Sequence, residues 1–453
     1  MSDAVLVIGG GVAGIEAALN VAEYGFKAYL CDDTSSIGGL MARLDKTFPT
    51  NDCSICIEAP KMYEVETHPN IELLTHSMVR KVKGSAGGFT VTLVKKPRYV
   101  DEEKCKGCGK CAEVCPVLVP DEMDGKIGGS RKLISSPFPQ AVPNTYFVDR
   151  RCRDGKMHDR GGCIGGCIVD CSQCRECQIA QCVVACHKEG ADAVVLWQKE
   201  ERKKIAVRSI IVATGVEPYM PPAGHYGYEN YENVLTSVQF ERLMNAGGPT
   251  DGDVVRPSDG AHPKTVAWVQ CVGREKSLGL SYCSKVCCMI STKQAIIAKE
   301  HDPDLDAVIL YNNLKTYGKG FHQFSERAAD HGVRFVKGKP SDIYSDPDTK
   351  SLTVRYEDMD EGQITETKAD LLVLSTGLVP CSRNPKLAER LGIELDDRGF
   401  FKERDPVGAP LESTAEGIYL CGGATGPIDI SESVTQAIAA GLRACAPGGA
   451  NGA

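Results

Sequence analysis

At 453 residues and 42% hydrophobic content, the chain is long enough for two or three domains with sizeable cores. A net charge of -8 gives no reason to expect nucleic acid or an anionic membrane surface as a partner. No apolar run approaches the roughly 20 residues needed to span a bilayer, and Met1-Ser-Asp-Ala leads straight into a strand without a signal peptide, so the expectation is a cytoplasmic protein with no membrane insertion. In such a chain 22 cysteines point to metals rather than disulfides, and most fall in the segments 105–186 and 271–288. A load of that kind suggests an anaerobic cell.

Ala4-Val-Leu-Val-Ile-Gly9-Gly-Gly11-Val-Ala-Gly14 reads as a strand, a G-x-G-x-x-G turn and a helix start. Placed after the first strand, with Asp32 closing the second, that turn predicts a dinucleotide site: glycines let the backbone approach a pyrophosphate, and the acid accepts from ribose hydroxyls. Gly38-Gly39 fits the second glycine pair of flavoprotein reductases, so FAD is expected here. The alternative is a glycine-rich turn with no ligand. Cys53-Ser-Ile-Cys56 follows, open to three readings: a redox dithiol, half of a metal site, or packed cysteines.

Phe89 to Lys95 alternates like a strand, and beyond Pro97 the composition changes. Cys105-x2-Cys108-x2-Cys111-x3-Cys115-Pro116 is the bacterial ferredoxin run, in which three thiolates wrap one [4Fe-4S] cluster and the fourth ligates a second. The second motif is Cys174-x2-Cys177-x4-Cys182-x3-Cys186, longer than standard in its middle gap. Cys105, Cys108, Cys111 and Cys186 are then expected around one cluster, and Cys115, Cys174, Cys177 and Cys182 around the other; Cys171 competes with that register. Cys152, Cys163, Cys167 and Cys171 lie in a glycine-rich block compatible with a further cluster, zinc or no metal.

Arg202 to Val212 leads into Ala213-Thr214-Gly215, which predicts a return to the first domain. After a linker rich in Gly, Pro and Asp, Thr265 to Gln270 reads as a strand, Ile290 to Glu300 as a helix and Ala307 to Tyr311 as a strand. This β-α-β unit stands where a reductase would bind NAD(P)H, yet its turn offers Cys271-Val-Gly273 followed by Cys283, Cys287 and Cys288. Four soft thiolates can close the ligand set of one [4Fe-4S] cluster; the alternative is a group of small buried cysteines. The final stretch from Gly417 carries Gly422-Gly423, where most flavoprotein reductases have Gly-Asp, and then a helix with Ser433 and Gln436 as candidate flavin contacts or simple capping residues. Amides at that helix start would favour negative charge on a flavin.

Cys271 followed by Tyr282-Cys-Ser-Lys-Val-Cys-Cys288 resembles the signature of the heterodisulfide reductase family, in its A-type FAD and iron-sulfur subunit, and the likeness runs along the whole chain. It implies a thioredoxin-reductase-like flavin fold, a cluster on Cys271, Cys283, Cys287 and Cys288 close to the flavin, and Lys293 near flavin N5, against a plain surface lysine. It also implies partner subunits that supply donor and acceptor, and a flavin that splits or merges electron pairs. Members carry further N-terminal and C-terminal domains, so the chain reads as a trimmed form; a homodimer is a further possibility.

The expected fold class is therefore α/β, a two-dinucleotide-binding-domain flavoprotein with an inserted two-cluster ferredoxin-like domain. The FAD domain is expected at 1–100, 193–246 and 369–453, the insert at 101–192, and a degenerate NAD-type domain at 247–368, with FAD and about three [4Fe-4S] clusters. The function expected is that of an electron-transfer subunit of an anaerobic oxidoreductase. The alternatives are a free-standing NAD(P)H-dependent disulfide reductase using Cys53 and Cys56, and a non-catalytic iron-sulfur scaffold.

Overall fold

A computed structural model describes residues 3–121, 123–124, 127, 129–149, 181–274 and 279–446. The expectations for Cys152, Cys163, Cys167, Cys171, Cys174 and Cys177 lie outside these residues. Strand Ala4–Ile8 is the centre of a seven-stranded sheet, with Lys27–Cys31 and Ile71–Leu74 parallel on one side and Ser209–Val212 and Ile418–Leu420 parallel on the other. Every residue of Ala4–Ile8 and of Ser209–Val212 is buried, because both faces of a parallel sheet are covered. Helices Val12–Glu23 and Ile430–Cys445 cover one face; they approach closely at Gly441, where an added Cβ would come within 3.1 Å of the Asn20 side chain. The other face is covered by an antiparallel layer of Ser77–Lys83, Phe89–Lys95 and Glu201–Val207, whose Val79, Val91, Leu93 and Ile205 pack on Leu6 and Ile8.

The segment with the ferredoxin run leaves that layer at Lys95 and returns at Glu201, two residues that face each other in the antiparallel ladder. An isolated bridge between Val100 and Val194 closes the neck. An insertion spliced between two paired neighbours leaves the host sheet undisturbed.

The second sheet also has seven strands, in the order Val234–Thr236, Leu371–Thr376, Thr265–Val272, Asp306–Tyr311, Arg334–Ser345, Leu352–Asp358 and Gln363–Ala369. The first five are parallel and the last three form an antiparallel flap. The expected β-α-β unit is present as Thr265–Val272, helix Val286–His301 and Asp306–Tyr311. Its Trp268 is fully buried edge-on against Phe240.

This sheet takes in Val234–Thr236, helix Ser237–Met244 and Leu371–Thr376, all of which the expected limits assign to the FAD domain. A strand of three residues gives little periodicity to read, and the Gly-rich stretch after 247 is a surface loop within the second unit. The helix itself carries a legible start, a capping box between Thr236 and Gln239. Strands Val216–Pro218 and Leu378–Pro380 pair antiparallel, so both crossings between the sheets run as one ribbon.

Candidate flavin and iron-sulfur site

At the carboxyl edge of the first sheet the expected cofactor residues come together. Gly9 has φ 109°, and a Cβ there would stand 2.2 Å from the Ala213 carbonyl oxygen; at Gly14 it would stand 1.7 Å from the oxygen of Gly9. Only glycine fits a turn folded this tightly. The amide of Gly10 donates to Asp32 Oδ2 at 2.6 Å, the amide of Gly38 donates to Gly10 O at 2.7 Å, and a Cβ on Gly39 would lie 2.8 Å from Gly11 Cα. The Asp32 Oδ1 atom also accepts the Thr34 amide at 2.8 Å. On the far side, Thr214 Oγ1 bonds Asn384 Oδ1 at 3.0 Å, and Gly215 lies against Gly423. Gln436 Oε1 accepts the Gly422 amide at 3.0 Å, whereas the Ser433 hydroxyl donates to the Asp429 carbonyl at 2.8 Å within its own helix. Asp429 and Glu432 form a capping box there.

The second turn is built differently. A register shift between Val269 and Val272 turns out Cys271 at φ 63°, followed by Gly273 at φ 98°. Cys271, Cys283, Cys287 and Cys288 line one cleft, together with Ser284, Arg274, Gly377, Asn312, Asn313 and Lys315. Cys287 and Cys288 are buried in the first turn of helix Val286–His301. Hydrogen bonding between them and burial push the Cys287 thiol up; the same bond, aided by Lys315, draws the Cys288 thiol down. Among the described residues, no three His, Cys, Asp or Glu side chains converge as for one metal ion.

A second cleft, in the insert, is lined by Cys105, Cys108, Cys111 and Cys186 with Tyr146. This is the first ligand set expected from spacing. Burial, with the neighbouring Cys105, Cys182 and Cys186, pushes Cys111 up to about 12. Cys115 and Cys182 lie in the same small core; Cys174 and Cys177, their expected companions, are outside the described residues.

A buried ion pair sits where the second unit meets Asp45 and Lys46 of the first. Lys293 and Glu241 are each 1% exposed, with Nζ 2.6 Å from Oε1, and Lys293 also donates to the Lys46 carbonyl at 2.7 Å. Lys293 is therefore no surface lysine. Glu241 accepts from Gln294 Nε2 at 2.7 Å and from the Asp45 amide at 3.0 Å, and Trp268 Nε1 donates to Gln294 at 3.0 Å. Lys285 pairs with Glu432 across the units at 2.5 Å. Cys53 and Cys56 form a disulfide at the start of helix Ser54–Thr67, with Cys56 exposed.

Sequence reasoning missed Glu241, Lys285 and Glu432, whose partners are far along the chain. It also missed Asn312, Asn313 and Lys315, although the rule that open α/β sheets bind ligands beyond strand carboxyl ends points to them, just after Asp306–Tyr311.

Two doubly wound sheets, one with a glycine turn and the other with a cysteine-lined turn, define an α/β dinucleotide-fold protein with an inserted iron-sulfur segment. A family model described as glucose inhibited division protein A matches residues 4–82, and one described as a 4Fe-4S binding domain matches 98–121. The chain has an FAD-binding domain and a 4Fe-4S binding domain. It is 46% identical over 435 residues to the A-type iron-sulfur subunit of the CoB--CoM heterodisulfide reductase of Methanocaldococcus jannaschii, covering 95% of this chain and 62% of the relative. It is 44% identical to copy 1 of that subunit in Methanopyrus kandleri (99% and 64% covered), and 43% identical to the A-type subunit of the H(2):CoB-CoM heterodisulfide,ferredoxin reductase of Methanothermobacter thermautotrophicus (99% and 64%).

These relatives are all named as A-type heterodisulfide reductase subunits, and the chain spans less than two thirds of their length. Solved structures with a similar outline include the thioredoxin reductase of T. acidophilum, at 14% identity and a TM-score of 0.48 with 97% of each chain covered. Another is LpdA of Mycobacterium tuberculosis, at 13% and 0.49 with 98% of this chain and 72% of that one covered. At those values neither adds to the fold read from the chain's own topology. No helix among the described residues is long and apolar enough to cross a membrane.

Proposed function

We propose that this chain is an FAD- and [4Fe-4S]-carrying electron-transfer subunit of a multi-subunit oxidoreductase of the heterodisulfide reductase type. The observation that carries the reading is the cleft at the second turn, where four cysteines stand in place of a nicotinamide fingerprint. Gly9, Gly11, Gly14, Asp32, Gly38, Gly39, Ala213, Thr214, Gly215, Gly422, Gly423, Ser433 and Gln436 would hold FAD. Cys271, Cys283, Cys287 and Cys288 would hold one cluster, Cys105, Cys108, Cys111 and Cys186 a second, and Cys115 and Cys182 with Cys174 and Cys177 a third. The domain limits we propose are an insert at about 96–200, a second unit at about 234–377, and an FAD domain built from the remainder, in keeping with the ladders.

A flavin supplies two-electron acceptance and one-electron release, and iron-sulfur clusters supply one-electron transport. The chain's own residues supply position. Lys293 brings a cation to the junction of the two units, and Glu241 with the Lys46 carbonyl fixes its direction. The Lys285–Glu432 pair ties the cysteine-bearing helix to the helix that closes the flavin edge. Donor and acceptor belong to other subunits; the names of relatives include hydrogen, ferredoxin and a heterodisulfide, and these are the classes to try first.

Anaerobic purification followed by flavin and iron quantitation tests this. One FAD and about twelve irons per chain are expected, falling by about four in Cys287→Ser/Cys288→Ser with FAD retained. An iron count unchanged by the substitutions would sink the cluster at the second turn.

The Cys53–Cys56 disulfide favours a second reading, a flavin-linked disulfide reductase. Bleaching of the flavin by NADPH or NADH alone, with two new thiols per chain, would support it over the first.

A further inference from the structure

The insert sends one segment into the core of the flavin unit. Val142 is buried there in one cluster with Val5, Val7, Ile15 and Leu30, and Phe138 packs against the same cluster, whereas the insert has a core of its own that includes Tyr99, Val100, Val117, Ile134 and Val148. The contact is made on the loop from Thr34 to Gly39. The buried Ser36 hydroxyl accepts the Val142 amide at 2.9 Å and stands 3.1 Å from the Val142 carbonyl oxygen, to which the Ile37 amide donates at 3.1 Å. The tip of the Phe138 ring lies 3.5 Å from where a Cβ of Gly38 would stand.

That loop in turn rests on the glycine turn. A Cβ on Gly10 would meet the Ile37 side chain at 2.5 Å, the Gly38 amide donates to Gly10 O at 2.7 Å, and a Cβ on Gly39 would stand 2.8 Å from Gly11 Cα. Packing this close passes a displacement on rather than absorbing it. At its other end the segment is seated on the cysteine run: Asn144 and Tyr146 come within 3.0 and 3.1 Å of where Cβ atoms of Gly107 and Gly109 would stand, and Tyr146 lines the insert's cleft. Arg98, buried at the neck, adds a further tie by donating to the Ser35 carbonyl at 2.7 Å.

We infer that the insert completes the FAD site: Phe138 and Val142 are positioning residues that act through the loop Thr34 to Gly39 and hold its glycine pair against the first glycine turn. This rests on the FAD assignment above. The affinity of the flavin unit for its cofactor then depends on a segment that its own strands do not supply.

The test measures the FAD dissociation constant by flavin fluorescence, the melting temperature and the iron content of the whole chain in Phe138→Ala, in Ser36→Ala and, as a control, in Ile134→Ala, which thins the insert's own core. Phe138→Ala should bind FAD roughly tenfold more weakly and Ser36→Ala about threefold, both with the iron content of wild type. Ile134→Ala should melt at a lower temperature with FAD affinity within about twofold of wild type. Wild-type affinity in Phe138→Ala overturns the inference, and so does an equal loss in Ile134→Ala, since the flavin site would then respond to insert stability at large. If Phe138→Ala does not accumulate, Ser36→Ala decides on the same terms. Wild-type protein that binds no FAD would instead overturn the FAD assignment itself, a separate result.

Discussion

The two strand-turn-helix units are alike in topology and opposite in chemistry. In each, a parallel central strand ends in a residue with positive φ, Gly9 at 109° and Cys271 at 63°, and a helix follows. At the first turn side chains are sterically forbidden at Gly9 and Gly14, where an added Cβ would stand 2.2 and 1.7 Å from a backbone oxygen, so the turn is bare backbone at those positions. At the second, strain at a non-glycine residue is tolerated and four thiols surround the space. The same scaffold can therefore serve a phosphate-bearing cofactor or an iron-sulfur cluster, and side chains at the turn decide which.

The largest effect should come from closing the first turn. Gly14→Val should cost about 4 kcal/mol or more and abolish FAD retention, read by denaturant midpoint and flavin absorbance, while iron bound at the second turn persists in whatever folds. Next comes the tie between the halves. Lys293→Met leaves Glu241 buried and unpaired and should cost about 3–5 kcal/mol; the double variant with Glu241→Leu should recover most of it. A double variant no more stable than Lys293→Met would show that the pair is not what is lost.

Acid should separate the two halves. Burial, then Arg98, lowers His76 to about 3, so the folded chain keeps it neutral where the unfolded chain takes up a proton. Its contribution is complete above about pH 6.5 and shrinks as pH falls, by about 3 kcal/mol at pH 4.5, with the loss ending near pH 3. Hydrogen exchange at pH 4.5 should therefore open Ser77–Lys83 before Thr265–Val272, and equal protection of both strands would contradict this. The smallest effect is Cys271→Gly, which relieves positive-φ strain: stability should rise by about 1 kcal/mol in the metal-free protein while about four irons are lost from the holoprotein. Iron retained in full would remove Cys271 from the ligand set.

Much of this comparison was legible before any fold was known. The glycine turn, the acid closing the next strand and the β-α-β unit around the second turn are local patterns, and each lies where periodicity predicts. The set Cys105, Cys108, Cys111 and Cys186 lines one cleft, although Cys186 is 71 residues beyond Cys115, because ferredoxin spacing carries its own topology. The short strand Val234–Thr236 escaped notice and shifted a domain limit, since a strand of three residues acquires meaning only when paired with Leu372–Leu374. Lys293 could be marked as of interest but not as buried, and Phe138 and Val142 were not marked at all.

By itself the sequence determined which turn must be bare backbone and which carries sulfur, because steric exclusion at glycine and the ligand chemistry of cysteine are properties of the residues and their spacing. Only the tertiary structure decided which charges are paired, which are stranded and which thiols share a cleft. Those properties depend on dielectric and on neighbours brought together from distant parts of the chain: Glu241 neutralises Lys293 from 52 positions away, while Glu58 is left with no partner on its own helix.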